Sequence, residues 1–136
     1  MQAYTLSIVG VLALGLVSIL LAIYSGYSKG RGGALSGPVV PADDSNPLYR
    51  IDRVHMNSVE ALASFVVPAV LAMLVGVQPI LLAVLVWVHI AIRLIHLVIY
   101  LRGGNAAKGG GLRTILYVSG ASVTVVLIVV TGWAAV

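Results

Sequence analysis

Residues 3–27 read AYTLSIVGVLALGLVSILLAIYSGY and contain no charged side chain. As an α-helix, a segment of this length extends about 37 Å, because each residue adds about 1.5 Å. The hydrocarbon core of a bilayer is about 30 Å thick, so the segment is long enough to cross it once. Tyr4, Tyr24 and Tyr27 lie near its ends, where aromatic side chains favour the membrane–water interface. This run therefore predicts a transmembrane helix.

Three further apolar runs follow, at about residues 48–75, 80–101 and 112–135. Only the short turn GVQP at residues 76–79 separates the first two of them, and such a turn implies antiparallel neighbours. The runs are too long and too unalternating for barrel strands, and an uncharged segment in lipid must otherwise be helical. We therefore predict one domain, residues 1–136, with an all-α fold: an integral membrane four-helix bundle.

The composition supports a membrane protein and excludes several other classes. Of the residues, 60% are apolar and 9% are charged, whereas a soluble domain is about half apolar and about a quarter charged. Cysteine is absent, so disulfides, thiolate metal sites and a cysteine nucleophile are excluded. The net charge of +4 does not predict nucleic-acid binding, because the basic residues lie between long apolar runs and form no continuous stripe.

The positions of the basic residues predict the orientation. They cluster in the predicted loop at residues 28–46 with its flanks and in the loop between the third and fourth runs, and both the turn at residues 76–79 and the two termini lack them. The positive-inside rule then places both basic loops in the cytoplasm and both termini outside it; in a bacterium the membrane would be the inner one. The residues that agree are Lys29, Arg31, Arg50, Arg53, Arg102, Lys108 and Arg113.

The second run carries polar residues on one helix face. Arg53, Asn57 and Glu60 follow one another at i, i+4 and i+7, a spacing that stacks side chains on one side of a helix. Polar and charged groups at membrane depth are costly and usually serve a function. We therefore treat this face as a candidate site.

A second polar stripe lies in the third run, with His89, Arg93, His96 and Tyr100 at i, i+4, i+7 and i+11. Both stripes occur towards the predicted cytoplasmic ends of their helices, and Arg113 begins the fourth run on the same side. Cations, imidazoles, an amide, a carboxylate and a phenol are thus expected to converge in the cytoplasmic half of the bundle.

Two interpretations of this convergence are open. In the first, Glu60 pairs with Arg93 or Arg53, and the set only joins helices. In the second, three arginines against one glutamate leave an excess of positive charge, which favours a ligand with carboxylates or phosphates. No metal site is predicted, because His89 and His96 are not at i, i+4 and the nearby arginines would repel a cation.

Three stretches resemble motifs of the MAPEG family, the membrane-associated proteins in eicosanoid and glutathione metabolism. Residues 50–68, RIDRVHMNSVEALASFVVP, resemble its helix-two signature Arg-x-x-x-Asn-x-x-Glu, and residues 93–100, RLIHLVIY, resemble its helix-three Arg-x-x-His-x-x-x-Tyr. Residues 112–117, LRTILY, resemble the start of helix four, where an arginine and a hydroxyl residue precede a tyrosine. The matching positions are Arg53, Asn57, Glu60, Arg93, His96, Tyr100, Arg113, Thr114 and Tyr117.

The resemblance implies a homotrimer that binds glutathione between neighbouring subunits, near the cytoplasmic face. The family includes microsomal glutathione transferases and microsomal prostaglandin E synthase. By this resemblance Arg113 is the candidate for stabilising the glutathione thiolate, and Thr114 is the candidate for assisting it. The remaining matched residues would bind glutathione as co-substrate: Arg53, Asn57, Glu60, Arg93, His96, Tyr100 and Tyr117.

Two functions from different classes follow. The first is a glutathione-dependent transferase or peroxidase that acts on lipophilic electrophiles in the membrane. The alternative is a non-catalytic lipid-binding or scaffold protein on the same fold. A protein that binds no glutathione need not keep the polar set, so its presence favours the enzyme; a channel or transporter is disfavoured, because the sequence shows no repeat or gating signature.

Overall fold

A computed structural model of the chain describes residues 2–33, 40–103 and 111–136. Within these residues it contains a short 3-10 turn, Gln2–Tyr4, followed by four long α-helices and no strand. The helices are α1 (Thr5–Arg31), α2 (Pro47–Leu74), α3 (Pro79–Leu101) and α4 (Leu112–Ala134). All four are long and apolar enough to cross a membrane. The predicted fold class, an all-α membrane bundle of four helices, is confirmed.

The first helix is longer than the first predicted span, because residues 28–31 are helical although their glycine, serine and charged residues predicted a loop. Lys29 is buried on α1 and its ammonium lies 2.5 Å from the Asp52 carboxylate of α2. This contact gives the last turn of α1 a packing partner, which outweighs its poor intrinsic helix propensity. Lys108 of the third loop lies outside the described residues.

Local side-chain chemistry fixes where α2 and α3 begin. The Asn46 side chain accepts a hydrogen bond from the Leu48 backbone N–H at 2.9 Å, and the Gln78 side chain accepts one from Leu81 at 2.6 Å. Each helix has a proline at its first position, where the missing N–H costs nothing. Between them, Gly76 adopts φ +81°, a left-handed conformation that glycine tolerates best.

The helices α2 and α3 form the centre of the bundle, since each packs against the other and against both α1 and α4. Their contact encloses an apolar core whose largest fully buried side chain is Phe65. The core also includes Leu82, Val86 and Ile90 of α3 and Leu127 of α4. Elsewhere the helices expose large apolar side chains, such as Leu12 at 67% and Ile80 at 71%. Such faces need lipid or another apolar partner around them.

Small residues let α1 approach its neighbours closely. Ser7, Gly10, Ser18 and Ser25 are all buried on this helix, and small side chains at helix interfaces bring backbones together in membranes. At Gly10 a Cβ atom would overlap the Val86 side chain of α3. The close packing of α1 on α3 therefore depends on the absence of a side chain at this position.

Replacing Gly10 with alanine should lower the free energy of unfolding by about 1–3 kcal/mol, as overpacking does in other cores. Gly15 lies on the same helix, and a Cβ there would meet nothing within 4 Å, so Gly15→Ala is the matched control. It should be neutral or slightly stabilising, because alanine favours helix. Unfolding of both variants in a detergent–SDS titration checks this; equal midpoints for the two would contradict the proposed close contact.

Arg50 and Tyr4 form hydrogen bonds at opposite ends of the bundle. Arg50, near the start of α2, donates to the backbone carbonyls of Asp44, Ser45 and Leu101 at 2.8, 3.0 and 3.3 Å. It thus joins the end of α3 to the turn before α2. At the opposite end, the Tyr4 hydroxyl donates to the Val77 carbonyl at 2.7 Å.

Candidate functional site

Asn57 connects the two predicted polar stripes. Its side-chain oxygen accepts a hydrogen bond from Arg53, one turn earlier on α2, at 3.3 Å. Its backbone carbonyl accepts a second hydrogen bond from Arg93 of α3, at 2.5 Å. Asn57 itself is 7% exposed. The structure therefore brings Arg53, Asn57 and Arg93 together, and both guanidinium groups donate hydrogen bonds to Asn57.

Glu60 lies beside this group but forms no ion pair with it. The salt bridges among the described residues do not include Glu60, and its side chain is exposed. It lines a cavity of about 230 Å³ between α2, α3 and α4, together with Arg93 of α3 and Tyr117 of α4. The Glu60 carboxylate interacts electrostatically with the Arg93 guanidinium. A carboxylate and a guanidinium thus face one cavity without neutralising each other by direct contact.

Arg113, at the start of α4, is held by an acidic residue that the sequence analysis did not include. One of its terminal nitrogens lies 2.7 and 2.8 Å from the two carboxylate oxygens of Asp44. Its guanidinium carbon lies 4.1 Å from the centroid of the Tyr100 ring. The His96 ring meets the same tyrosine edge-on at 5.7 Å. The expected excess of three arginines over one glutamate is therefore reduced, because Asp44 balances the charge of Arg113.

The two matched residues that follow Arg113 on α4 are accessible from outside the single chain. Thr114 is exposed, and its backbone N–H donates to the Gly111 carbonyl at 2.9 Å. Tyr117 is 48% exposed. Arg113 and Tyr100 belong to a second polar group, and Tyr100 lies on α3 at i+7 from Arg93 of the first group. The matched residues thus form one continuous band across α2, α3 and α4.

Comparison with known families decides the identity of this fold. The sequence pattern of the MAPEG family matches residues 5–133, which covers nearly all of the four helices. The chain belongs to the MAPEG family. A comparison with curated proteins and one with solved structures gave no match.

Membership of the MAPEG family agrees with the way the three motifs meet. The helix-two and helix-three motifs join at Asn57 through Arg93, and the helix-four motif joins helix three where Arg113 stacks on Tyr100. The MAPEG motifs, far apart in sequence, therefore lie side by side in the fold. Their roles in binding remain predictions.

Three contacts of this MAPEG protein were not predicted from sequence. They are the ion pair of Asp44 with Arg113, the ion pair of Lys29 with Asp52, and the stacking of His89 on Phe65. The buried Asp52 also accepts hydrogen bonds from the Ser25 hydroxyl at 3.2 Å and the Val40 N–H at 3.5 Å. The sequence indicated only that Asp52 lies on a different face of α2 from the stripe that contains Glu60. Nothing in the spacing indicated Asp44, which lies 69 residues from its arginine.

Proposed function

We propose that the protein is a glutathione-dependent transferase or peroxidase that acts on lipophilic electrophiles in the membrane. The observation that carries this proposal is the paired anchoring of Arg53 and Arg93 on Asn57 beside the exposed Glu60. Of these residues, Arg93 and Glu60 line a cavity of about 230 Å³, so that a guanidinium and an accessible carboxylate face the same space. The MAPEG membership supports glutathione as the ligand.

The donor set fits the chemistry of glutathione. Glutathione carries two carboxylates and one ammonium group. Guanidinium groups hold carboxylates by charge-assisted, often paired hydrogen bonds, which suits Arg53 and Arg93. The carboxylate of Glu60 suits the ammonium group, because no arginine is bonded to it within the described part of the chain. The phenols of Tyr100 and Tyr117 add neutral hydrogen-bonding groups along the same band.

The proposal includes a homotrimer with a site between neighbouring subunits. Glu60, Thr114 and Tyr117 are exposed in the single chain, and a second subunit would cover them. The polar first half of α2 also needs protein or water around it rather than lipid, which favours a place for α2 at the threefold axis. The shared site would lie towards the cytoplasmic face, with both termini outside, as the positions of the described basic residues favour.

Native mass spectrometry in mild detergent should show a trimer of the intact chain. The expected stoichiometry is three glutathione molecules per trimer, one for each interface. Detection of only monomers in several mild detergents, with glutathione still bound, would contradict the shared site while leaving the rest of the proposal standing.

In the proposed reaction, the glutathione thiol first loses its proton to solvent. The thiolate sulfur then forms a bond to the electrophilic carbon, while the leaving group departs with the electron pair of the bond that breaks. A cation near the sulfur favours the thiolate, as does the N-terminus of a helix. Arg113 is a cation at the N-terminus of α4, and Thr114, whose side chain is exposed, is beside it. For Arg113 to act, Asp44 must share the guanidinium with the thiolate.

This arrangement predicts opposite effects of two substitutions on the pKa of bound glutathione. Arg113→Ala should raise the thiol pKa, lower the conjugation rate with a chlorodinitrobenzene and move the pH optimum upward. Asp44→Asn should lower the thiol pKa, because the guanidinium charge is no longer balanced by a carboxylate. Rates measured across pH with saturating glutathione check both, since glutathione affinity should change little.

Arg113→Lys is the control for charge without the planar guanidinium, and it should retain most of the rate. Identical pH–rate profiles for wild type and Arg113→Ala would end the catalytic role of Arg113. They would indicate instead that the arginine only anchors the start of α4 at the membrane interface.

A lipid-binding or scaffold role is the second candidate, and one observation favours it. A further cavity of about 170 Å³, lined mainly by apolar side chains, lies among α1, α2 and α3. In this role a lipid would occupy the cavity, and the protein would show no glutathione-dependent turnover. Glutathione conjugation assays with a panel of electrophiles separate the two functions.

A further inference from the structure

The Arg113 guanidinium lies over the ring face of Tyr100, where the last turn of α3 meets the first turn of α4. The guanidinium carbon is 4.1 Å from the ring centroid, within the range of a cation–π contact. Arg113 is also largely buried, since its side chain is 11% exposed. Loss of water strengthens the attraction between a cation and an aromatic face. The Tyr100 ring therefore contributes to holding the Arg113 side chain in place.

His96 fixes the orientation of the Tyr100 ring from one turn earlier on α3. The two rings meet edge-on, with 5.7 Å between centroids and an angle of 68° between their planes, which is a preferred geometry of aromatic pairs. His96 is itself 4% exposed, so the packing around it limits its movement. The ring face that Arg113 contacts is thus presented in a defined direction.

Arg50 of α2 anchors both groups that hold Arg113. It donates a hydrogen bond to the Leu101 carbonyl, next to Tyr100, at 3.3 Å. It also donates to the backbone carbonyl of Asp44 at 2.8 Å, and the Asp44 carboxylate pairs with Arg113. The ring and the carboxylate are therefore fixed relative to each other, which leaves the head group of Arg113 little freedom.

The ring and the carboxylate use the Arg113 guanidinium in different ways. The Asp44 carboxylate accepts hydrogen bonds from one terminal nitrogen and also offsets the positive charge. An aromatic ring attracts a cation through its π-electrons, so it orients the guanidinium without cancelling its charge. A group that stabilises a developing anion needs a fixed orientation and a retained charge. The Tyr100 ring supplies this combination, and Asp44 does not.

We propose that Tyr100 is a positioning residue, whose ring holds the Arg113 guanidinium in the orientation that stabilises the glutathione thiolate. The effect on the reaction rests on the proposed function, whereas the ring contact itself does not require glutathione. The proposal assigns the aromatic ring, rather than the hydroxyl, to the reaction. A hydrogen bond from the Tyr100 hydroxyl to glutathione would instead contribute to affinity.

Rates of conjugation with a chlorodinitrobenzene, measured across pH, test this role. Tyr100→Leu removes the aromatic face and should move the pH optimum upward, as Arg113→Ala does. The rate at neutral pH should fall by about two- to tenfold, as the strength of one cation–π contact implies. Tyr100→Phe retains the ring, so it should keep the wild-type pH optimum, while loss of the hydroxyl raises only the KM for glutathione.

A double variant shows whether Tyr100 acts through Arg113. In the Arg113→Ala background, Tyr100→Leu should cause no further shift of the pH optimum, because the guanidinium that the ring positions is absent. Tyr27→Leu is the matched control, since Tyr27 makes the corresponding contact with Arg31 on α1, at 5.8 Å. This control should keep the wild-type pH profile.

A second measurement follows the ring contact without glutathione. In protein labelled with ¹⁵N-arginine, in nanodiscs, the Arg113→Lys variant assigns the Arg113 Nε–H signal. This signal should shift in Tyr100→Leu, because the ring current is lost, and should stay near its wild-type position in Tyr100→Phe. Tyr100→Met replaces Tyr100→Leu in both measurements if the leucine variant fails to fold.

The proposal is overturned if Tyr100→Leu keeps the wild-type pH profile while Arg113→Ala shifts it. It is also overturned if Tyr100→Phe shifts the optimum as far as Tyr100→Leu, since the hydroxyl would then be responsible. An unchanged Arg113 signal in the folded leucine variant excludes the contact itself. Wild-type protein without glutathione turnover would contradict the proposed function instead, and the Arg113 signal would then decide whether Tyr100 holds the arginine.

Discussion

Asp52→Ala should lower the free energy of unfolding by about 3–5 kcal/mol, the cost of breaking a buried ion pair by removing one partner. The side chains of Lys29 and Asp52 are 10% and 3% exposed, and the ammonium lies 2.5 Å from the carboxylate. Without Asp52, the charge of Lys29 is buried among α1 and α2, and the Ser25 hydroxyl loses its acceptor. Unfolding in a detergent–SDS titration measures the effect.

The double substitution Lys29→Met with Asp52→Leu distinguishes an ion pair from simple packing. Replacing both charges with apolar residues of similar size is often neutral or stabilising, so the double variant should recover at least half of the loss. If the double variant is as unstable as Asp52→Ala, the contribution of Asp52 comes from its bonds to Ser25 and Val40 rather than from Lys29.

Arg93→Ala should weaken glutathione binding by about 10- to 100-fold. Arg93 donates to the Asn57 carbonyl and faces the same cavity as Glu60, so it is the cation most central to the proposed site. A charge-assisted hydrogen bond contributes about 1.5–3 kcal/mol, and each 1.4 kcal/mol corresponds to about tenfold in affinity. Isothermal titration calorimetry in detergent measures the loss.

Arg102→Ala is the matched control, because Arg102 follows the last residue of the same helix and is exposed. It should bind glutathione like wild type. Arg53→Ala and Glu60→Gln should each lose on the order of tenfold, since each removes one charged partner. If all three site variants remain folded and bind glutathione normally, the ligand site is elsewhere.

The four helices were predictable because each hydrophobic run is long and turn chemistry separates it from the next, while the charges of the second run lie in its first half. Asn46-Pro47 and Gln78-Pro79 mark helix starts whose capping bonds the structure shows. The end of α1 was not predictable from its residues. Glycine and serine near Lys29 disfavour a helix in isolation, and the contact with Asp52 on α2 provides a compensating interaction.

The polar band was predictable to the extent that helical spacing determines it. Arg53 and Asn57 share a face of α2 at i, i+4, and the structure shows their hydrogen bond. Contacts between helices depend on rotation and depth, which spacing does not encode. For that reason the Asp44 partner of Arg113 and the stacking of His89 on Phe65 emerged only from the fold.

A titration of glutathione into the detergent-solubilised protein, monitored at the ultraviolet absorbance of the thiolate, tests the central claim most directly. The account predicts a saturable thiolate signal at neutral pH, at concentrations where free glutathione is mostly thiol. The signal should be strongly reduced in Arg93→Ala, because glutathione binds about 10- to 100-fold more weakly, and in Arg113→Ala, because the bound thiol keeps its proton. Absence of a saturable signal in the folded wild-type protein, together with no calorimetric binding, would contradict a glutathione site at this band.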